Sequence, residues 1–461
     1  MNRQRLARRG VHARRGPRAL TAGLLAALLV FGAAVALDSG AVQPSTQSGR
    51  VVSDTNPASW TPNVQDGYVA AFAEAGNTVL VGGNFTTVRR ANTSANLTRN
   101  YLFAFDRTTG AISTTFVPTL NGEVRSIIYA GDGTAWIAGG FNNVNGQGAR
   151  NLARINITTG QRVTSFAPPV FNGRINDMQL RNGKLFVEGR FTTVGGQTHE
   201  LIAAVDATTG ALDPAVKVDF ADPRRNGTLN VYAADVTPDG SKMAVVGNFT
   251  TINGAGRYQI AQLDLTTSPT SVANWQTNAY GDGCSGSFET YMRDVEYSPD
   301  GSFFVPVTTG AYNNTFLCDV AARWETSATG TNLQPTWTNY SGGDTLTAVA
   351  ITDSAVYIGG HQRWMNNRYA ADRVGAGAVP REGLAALDPR SGATLTWNPG
   401  RNRGWGVYTF LATDSACGSA ATPARSPARP AARWRSCPWP AASRCRRRTS
   451  ARCPPPSSRW A

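Results

Sequence analysis

An all-β repeat fold, a β-propeller of four-stranded antiparallel blades with six complete and a seventh incomplete, is what this sequence predicts. Three observations predict it. A segment with a glycine pair or its remnant recurs as VLVGGNFTTV (79–88), WIAGGFNNV (136–144), LFVEGRFTTV (185–194), AVVGNFTTI (244–252) and VYIGGHQRW (356–364), with FVPVTTGAYNN (304–314) as a degenerate copy. One aromatic per unit, at Trp60, Phe116, Phe166, Phe220, Trp275, Trp337 and Trp397, recurs at intervals of 50 to 62 residues. Only 16% of residues are charged and 48 are Gly, a balance that suits turn-rich β structure and is poor for helices.

Each unit then reads as four elements. The first is an alternating run that ends in a turn: VAAFAEAG (69–76), VRSIIYAGDG (124–133), INDMQLRNG (175–183), VYAADVTPDG (231–240), MRDVEYSPDG (292–301) and LTAVAITDS (346–354). The glycine segment is the second. The third closes on a Thr/Ser-Gly turn, as in LFAFDRTTG (102–110), LARINITTG (152–160), IAAVDATTG (202–210) and LAALDPRSG (384–392). The fourth is an aromatic beside a Pro or Gly turn, as in Phe116-Val117-Pro118 and Trp397-Asn398-Pro399. Short apolar runs split by Gly, Asp, Asn and Thr are strand signals. Four per unit, repeated six or seven times, specify radial closure rather than a solenoid. Small residues midway along the leading strands (Ser126, Asp177, Ala233, Ala348) fit strands that converge on an axis.

Closure itself is legible. Trp60-Thr61-Pro62 is a fourth element with nothing before it, and 407–414 is a leading strand with nothing after it. Both are expected to belong to one seventh blade without its two middle strands, which leaves two open edges. A strained ring of poor solubility is the expectation.

The two ends carry most of the charge. The chain total is +14, but 1–18 holds seven Arg and 415–461 holds ten, with no acid in either, so 19–414 stands at −3. A nearly neutral body gives no support to nucleic-acid binding. Residues 1–36 read as an export signal: a basic start, an uncharged apolar run and small residues at Ala34-Val35-Ala36. The alternative is a retained anchor, the one route by which this chain would meet a membrane. Residues 37–50 are a linker and 51–414 the propeller. From Ser415 to Ala461 only Ala, Arg, Pro, Ser, Cys, Trp, Thr and Gly occur. Each has a codon with C or G in the middle position, the mark of a GC-rich gene read out of frame from near Asp414. The alternative is a genuine Arg/Pro-rich disordered tail. Neither builds a core, and its four cysteines are not read as a metal site or a disulfide framework.

The GG-x-F segment, the D-x-T-T-G turn and the F-x-P element resemble the delta-60 repeat β-propellers of secreted modular proteins from GC-rich Gram-positive (actinobacterial) bacteria. The resemblance spans about 51–414. His361 to Trp405 is especially similar, and the family pattern breaks off at Asp414. It implies fold and location more than chemistry, with PKD-like or carbohydrate-binding modules as frequent downstream neighbours.

Candidate functional residues follow from the repeat. The PDG and TTG turns are short and uniform, so Asp132, Asp239 and Asp300 are assigned to turn chemistry rather than to calcium. The longer loops emerge on the other side. Cys284 and Cys318 fall there within one unit, and an exported protein is expected to join them as a disulfide. In the sixth unit His361, Arg363, Trp364, Asn366 and Asn367 replace the usual N-F-T-T, and Arg401, Arg403 and Trp405 follow. Trp faces, guanidinium groups and amides suit stacking on sugars and hydrogen bonding to hydroxyls. The plainer reading makes Trp364 a core aromatic covered by arginines. Arg125, Asn176, Asp177, Arg293 and Asp294 lie on leading strands and are channel candidates. No catalytic, metal or cofactor motif is present in the sequence.

These readings combine into a secreted or cell-surface binding module, monomeric and non-catalytic, for a cell-wall or extracellular glycan or a surface protein. The alternative is a polysaccharide hydrolase or lyase with carboxylates at the channel mouth. A rigid spacer is the third possibility.

Overall fold

Runs such as Val79-Leu80-Val81 are apolar at successive positions, so a strand made from them must bury both faces. The repeats meet that demand by stacking sheet against sheet. In the computed structural model the described residues are 58–311, 313, 315–368, 371–400, 406–412 and 417–421. The expected signal or anchor (1–36) and the linker (37–50) lie outside them. Apart from a 3₁₀ turn at Arg224–Asn226, the regular structure is β, and its strand pairs are antiparallel. Among the described residues no helix is long and apolar enough to cross a membrane.

Of twelve sheets among the described residues, five are short two- or three-stranded ribbons and seven, each opened by a leading strand, follow in chain order. The first comprises Tyr68–Ala75, Thr78–Asn84 and Leu102–Asp106. The second comprises Val124–Tyr129, Thr134–Gly139 and Leu152–Asn156. The third has four strands, Ile175–Arg181, Lys184–Gly189, Ile202–Asp206 and Leu212–Asp213. The fourth likewise has Val231–Val236, Lys242–Gly247, Ile260–Asp264 and Ser271–Val272. The fifth has Met292–Tyr297, Phe303–Thr308, Val320–Glu325 and Trp337–Tyr340. The sixth has Leu346–Ile351, Val356–Gly360 and Leu384–Leu387. The seventh pairs Val407–Ala412 with Cys417–Ala421.

Each leading strand touches that of the next sheet, and Val407–Ala412 touches both Leu346–Ile351 and Tyr68–Ala75. The cores lie between the sheets. Leu80, Leu102 and Ala104 of the first sheet pack with Ile127, Ile137 and Ala153 of the second. Val79, Val81, Phe103 and Phe105 face the other way, where Leu411 of the seventh sheet joins them. Phe410 next to it packs with Tyr357 and Ala386 of the sixth. The period-two alternation of the strands therefore sends neighbouring residues to opposite interfaces.

A one-residue bulge interrupts the leading strand of all seven sheets at the same place, leaving Ala70, Arg125, Asn176, Tyr232, Arg293, Thr347 and Tyr408 as the extra residues. Opposite the bulge the second strand carries glycine. A β-carbon at Gly83, Gly139, Gly189, Gly247 or Gly360 would collide with the backbone carbonyl of Tyr68, Glu123, Arg174, Asn230 or Thr345. The recurring glycine is thus a close-approach requirement. The fifth sheet places Thr308 at that register, which is the degenerate copy seen in the sequence.

The third element's turn is equally physical. Asp106 Oδ1 accepts the backbone N–H groups of Thr108 (3.0 Å) and Thr109 (2.7 Å), and Asn156, Asp206 and Asp388 do the same in their units. Asp132, Asp239 and Asp300 accept from the N–H of Thr134, Ser241 and Ser302 in the other turn. These carboxylates organise turns, as expected.

The fourth element needs correction. In the first, second and sixth sheets the outer strand shrinks to a single bridge, at Ile112, Arg162 and Thr394. In the first and second units the aromatic comes after this edge and its segment latches onto the next unit, whereas Trp337 of the fifth lies in the outer strand as expected and Trp397 of the sixth packs on Tyr357 of its own sheet. Pro118, beside Phe116, lies against Gly160, and Phe220–Pro223 pairs with Phe249–Ile252. Trp60 follows the same rule. It sits on the Gly110 turn of the first sheet and donates from Nε1 to Arg107 O (3.3 Å). It is therefore a latch on the first sheet and not a strand of the seventh. Proline cannot donate to a ladder, so a segment built around it leaves the sheet early. A second difference lies at the C-terminal side: Cys417–Ala421 forms a strand inside the segment where no core element was expected.

The disulfide is present. Cys284 and Cys318 are joined with their Cα atoms 6.0 Å apart, ordinary for such a bridge. Tyr291 and Phe316 pack on it, and the Tyr291 hydroxyl donates to Cys284 O (3.1 Å). Closing a 34-residue separation is worth ~3–4 kcal/mol by loop entropy. Cys318→Ser is therefore expected to lower the thermal midpoint by several degrees. Peptide mapping should find the Cys284–Cys318 link in the unreduced protein; equal midpoints with and without the bridge would refute this.

Candidate functional site

Bulge residues turn away from the ladder, so seven equivalent bulges present seven side chains to one place. Ala70, Arg125, Asn176, Tyr232, Arg293, Thr347 and Tyr408 all line a single cavity of ≈ 480 Å³. Tyr68, Asp177, Phe288, Asp294, Thr345 and His361 complete its wall. A second cavity of ≈ 550 Å³ shares Arg125, Asp177 and Asp294 with it and continues along the leading strands to Asp235 and Glu296. A third, of ≈ 460 Å³, shares Arg181, Asp235 and Glu296 with the second.

The first cavity is cationic and aromatic. Glu123 binds Tyr68 OH at 2.6 Å and Arg174 at 3.1 Å, with Arg125 more distant at 3.5 Å. Burial, with the Glu123 carboxylate beside it, pushes the Tyr68 phenol up to about 12. Arg293 donates from Nη1 to Thr290 O (3.1 Å) and Met292 O (2.9 Å), and its guanidinium lies 5.5 Å from the Phe288 ring centroid. Tyr68 and Tyr408 approach to 6.1 Å between ring centroids. Tyr408 is 42% exposed, so its ring is open to a ligand.

The second cavity is acidic, and its acids are staples. Asp294 accepts Val295 N–H and, across to the sixth sheet, Val349 N–H, both at 2.9 Å. Asp235 accepts Val236 N–H and, across to the fifth, Tyr297 N–H, both at 2.8 Å. Gln179 donates to Asp177 (3.1 Å) and to Ala234 O of the fourth sheet (2.9 Å). Burial raises Asp177 and Asp235 to about 6 and Asp294 to about 8, and lifts Glu188 and Glu296 well above the usual range.

The sequence-derived candidates divide. Arg125, Asn176, Asp177, Arg293 and Asp294 line the first cavity, and His361 joins them from the sixth unit. The rest of that loop goes elsewhere. Arg363 pairs with Asp344 (2.8 Å) and with Asp372, and its guanidinium covers the half-buried Trp364 at 4.5 Å. Asn366 takes Asn339 Oδ1 at its N–H (2.6 Å) and donates to Gly377 O (2.8 Å). Asn367 is buried, donates to Arg373 O and accepts from Gly375 N–H, both at 2.8 Å. The arginine cover of the plainer reading is present, but Trp364 stays half-buried and it is Met365 that joins the core. Arg401, Arg403 and Trp405 lie outside the described residues. Tyr68, Tyr232, Phe288, Tyr408, Asp235 and Glu296 were not singled out in the sequence. Aligning the units on the glycine opposite the bulge is the signal that finds Tyr232; Tyr408 follows only from aligning the leading strands themselves, since Ala421 stands opposite its bulge.

No protein-family model matches this chain, and no curated protein matches it. Among solved structures, the crystal structure of the computationally designed Ika8 protein aligns over 79% of this chain and 96% of its own, with 13% identity and a TM-score of 0.46.

One acid has a measurable signature. Asp319 is buried with neither carboxylate oxygen hydrogen-bonded. Burial, with Asp344 adding to it and Arg293 opposing, raises it to about 7. Folded protein therefore holds protons that the unfolded chain releases near pH 4, so stability falls as pH rises from about 4 to about 8. Asp319→Asn is expected to raise the thermal midpoint by several degrees at pH 8 and to leave it unchanged at pH 4. A midpoint gain of the same size at both pH values would show that the charge is not the cause.

Proposed function

We propose that this chain is an exported, non-catalytic β-propeller that binds an extracellular glycan or a surface protein at the mouth of its axial cavity. On this reading the seven sheets are seven blades, the last reduced to two strands, and the leading strands surround the axis. What supports closure is the contact of Val407–Ala412 with the first and sixth leading strands, together with Leu411 and Phe410 in the two flanking cores. Export rests on the expected signal in 1–36 and fits the Cys284–Cys318 bridge.

The observation that carries the binding reading is the convergence of seven bulge side chains on one cavity. A cavity of ≈ 480 Å³ suits a small ligand or the end of a larger one. Its aromatic rings offer apolar faces with polar edges, and its arginines offer forked donors. Nothing in the fold alone selects a ligand; the argument rests on these side chains.

A polysaccharide hydrolase is favoured by one observation, two carboxylates of raised pKa, Asp177 and Asp294, in the same cavity. Against it, both Asp294 oxygens already accept backbone N–H groups, which leaves a staple rather than a free acid. A glycan array and a cell-wall pull-down, run beside a reducing-end assay, test the two readings. Tyr408→Ala is expected to lower binding about tenfold, the cost of one stacking contact, with no turnover by either protein. Turnover that disappears in Asp177→Asn would replace this proposal with the enzyme.

A further inference from the structure

The chemical class of the ligand is written in the charges that the cavity leaves over. Resting on the binding reading above, the inference concerns Arg125 and Arg293, which stand at equivalent bulges of the second and fifth sheets. Each is an incompletely compensated cation. Arg293 is half-buried, yet among the described residues it makes no ion pair; its recorded hydrogen bonds go to the carbonyls of Thr290 and Met292. Burial lowers its pKa. Arg125 has a buried Nε without a partner, and its Nη1 reaches Glu123 and Tyr68 only at 3.5 and 3.4 Å. Glu123 is engaged more closely by Tyr68 and Arg174.

Holding a guanidinium in a recess without a carboxylate is costly. The nearest carboxylates compensate these cations only in part: Asp319, within electrostatic reach of Arg293, and Asp177, within reach of Arg125, make no close ion pair with them and are raised by burial to about 7 and about 6. Asp294 is committed to Val295 and Val349, and at its raised pKa of about 8 it is mostly neutral at pH 7. Asp177 is committed to Met178 N–H (2.8 Å) and to Gln179. His361 also lines the wall, with its Nδ1 3.9 Å from Asp344. The cavity mouth therefore holds guanidinium groups without close ion pairs beside the exposed ring of Tyr408 and the half-buried ring of Tyr68.

We infer that the ligand is an acidic saccharide, its carboxylate received by Arg125 and Arg293 and its ring face laid on Tyr408. Arginine forks match the planar carboxylate in geometry as well as charge. A ring stacked on tyrosine presents its edge to the wall, where Tyr232 stands at another bulge; Asn176 and Thr347 already donate to Val231 O and Val407 O. A neutral sugar would use the rings but leave both cations unmatched.

Titration calorimetry on the full chain tests this with three probes of similar size: trigalacturonate, its fully methyl-esterified form, and a neutral galactose trimer. Esterification removes charge and keeps shape. The acid is expected to bind roughly tenfold to a hundredfold more tightly than its ester, the worth of charge-assisted hydrogen bonds. Arg293→Gln should lower affinity for the acid by a similar factor and leave the ester unchanged. The ester comparison uses the unaltered protein, so a variant that fails to fold does not blunt the test. Equal binding of acid and ester, or binding of the neutral trimer alone, overturns the acidic-ligand inference and leaves the glycan-binding reading standing. If none of the three binds, and a wider glycan array is silent as well, both fall for saccharides.

Discussion

The architecture turns on a collision avoided. Where the leading strand bulges, the second strand passes so close that in five of the sheets glycine stands there and a β-carbon would meet the backbone; the fifth sheet carries Thr308 at the same register. That approach makes the extra residue swing out of the ladder. Without it the side chains of Arg125, Tyr232 and Arg293 would alternate into the packed layers between sheets, and no shared cavity would form. The stacking of sheets and the lining of the cavity therefore depend on the same backbone contact.

A second constraint follows from the first. Leading strands lie against one another, and many of their polar groups are buried. Side chains of one sheet therefore satisfy the backbone of the next. Asp235 and Asp294 accept N–H groups from the fifth and sixth sheets, and Asn176 donates to Val231 O of the fourth. These carboxylates sit where burial opposes ionisation, and their backbone donors are what make the burial tolerable. The cavity's acidic end is thus a by-product of holding sheets together; at its cationic end Glu123 joins Tyr68 and Arg174 of neighbouring units, while Arg293 donates to carbonyls of its own segment. That difference separates the structural polar cluster from Arg293.

Much of this was readable from the residues. The repeats, the four elements and the turn role of Asp106 and its equivalents follow from spacing and turn chemistry alone. Cys284 and Cys318 were paired because both fell in long loops of one unit. Other features were hidden for physical reasons. A bulge adds one residue to a short run and leaves no mark on alternation. The aromatic beside Pro118 looks like a strand residue, but the proline takes it out of the sheet. Arg363 looked like a ligand residue because it breaks the N-F-T-T pattern. Its partner Asp344 stands 19 positions earlier, where Asp66, Asn121 and Asn172 hold the equivalent loops. That spacing was present in the sequence and marks Arg363 as a loop organiser.

The staples between sheets also bear on how such a chain changes length over evolutionary time. Each unit contributes a bulge, five carry the glycine opposite it, and in the third to sixth a leading-strand side chain satisfies the next sheet's backbone. A duplication or deletion that begins mid-unit separates these parts and strands an amide or a carboxylate without its mate. Only whole-unit exchanges, with breakpoints in the connections between sheets, leave every junction complete.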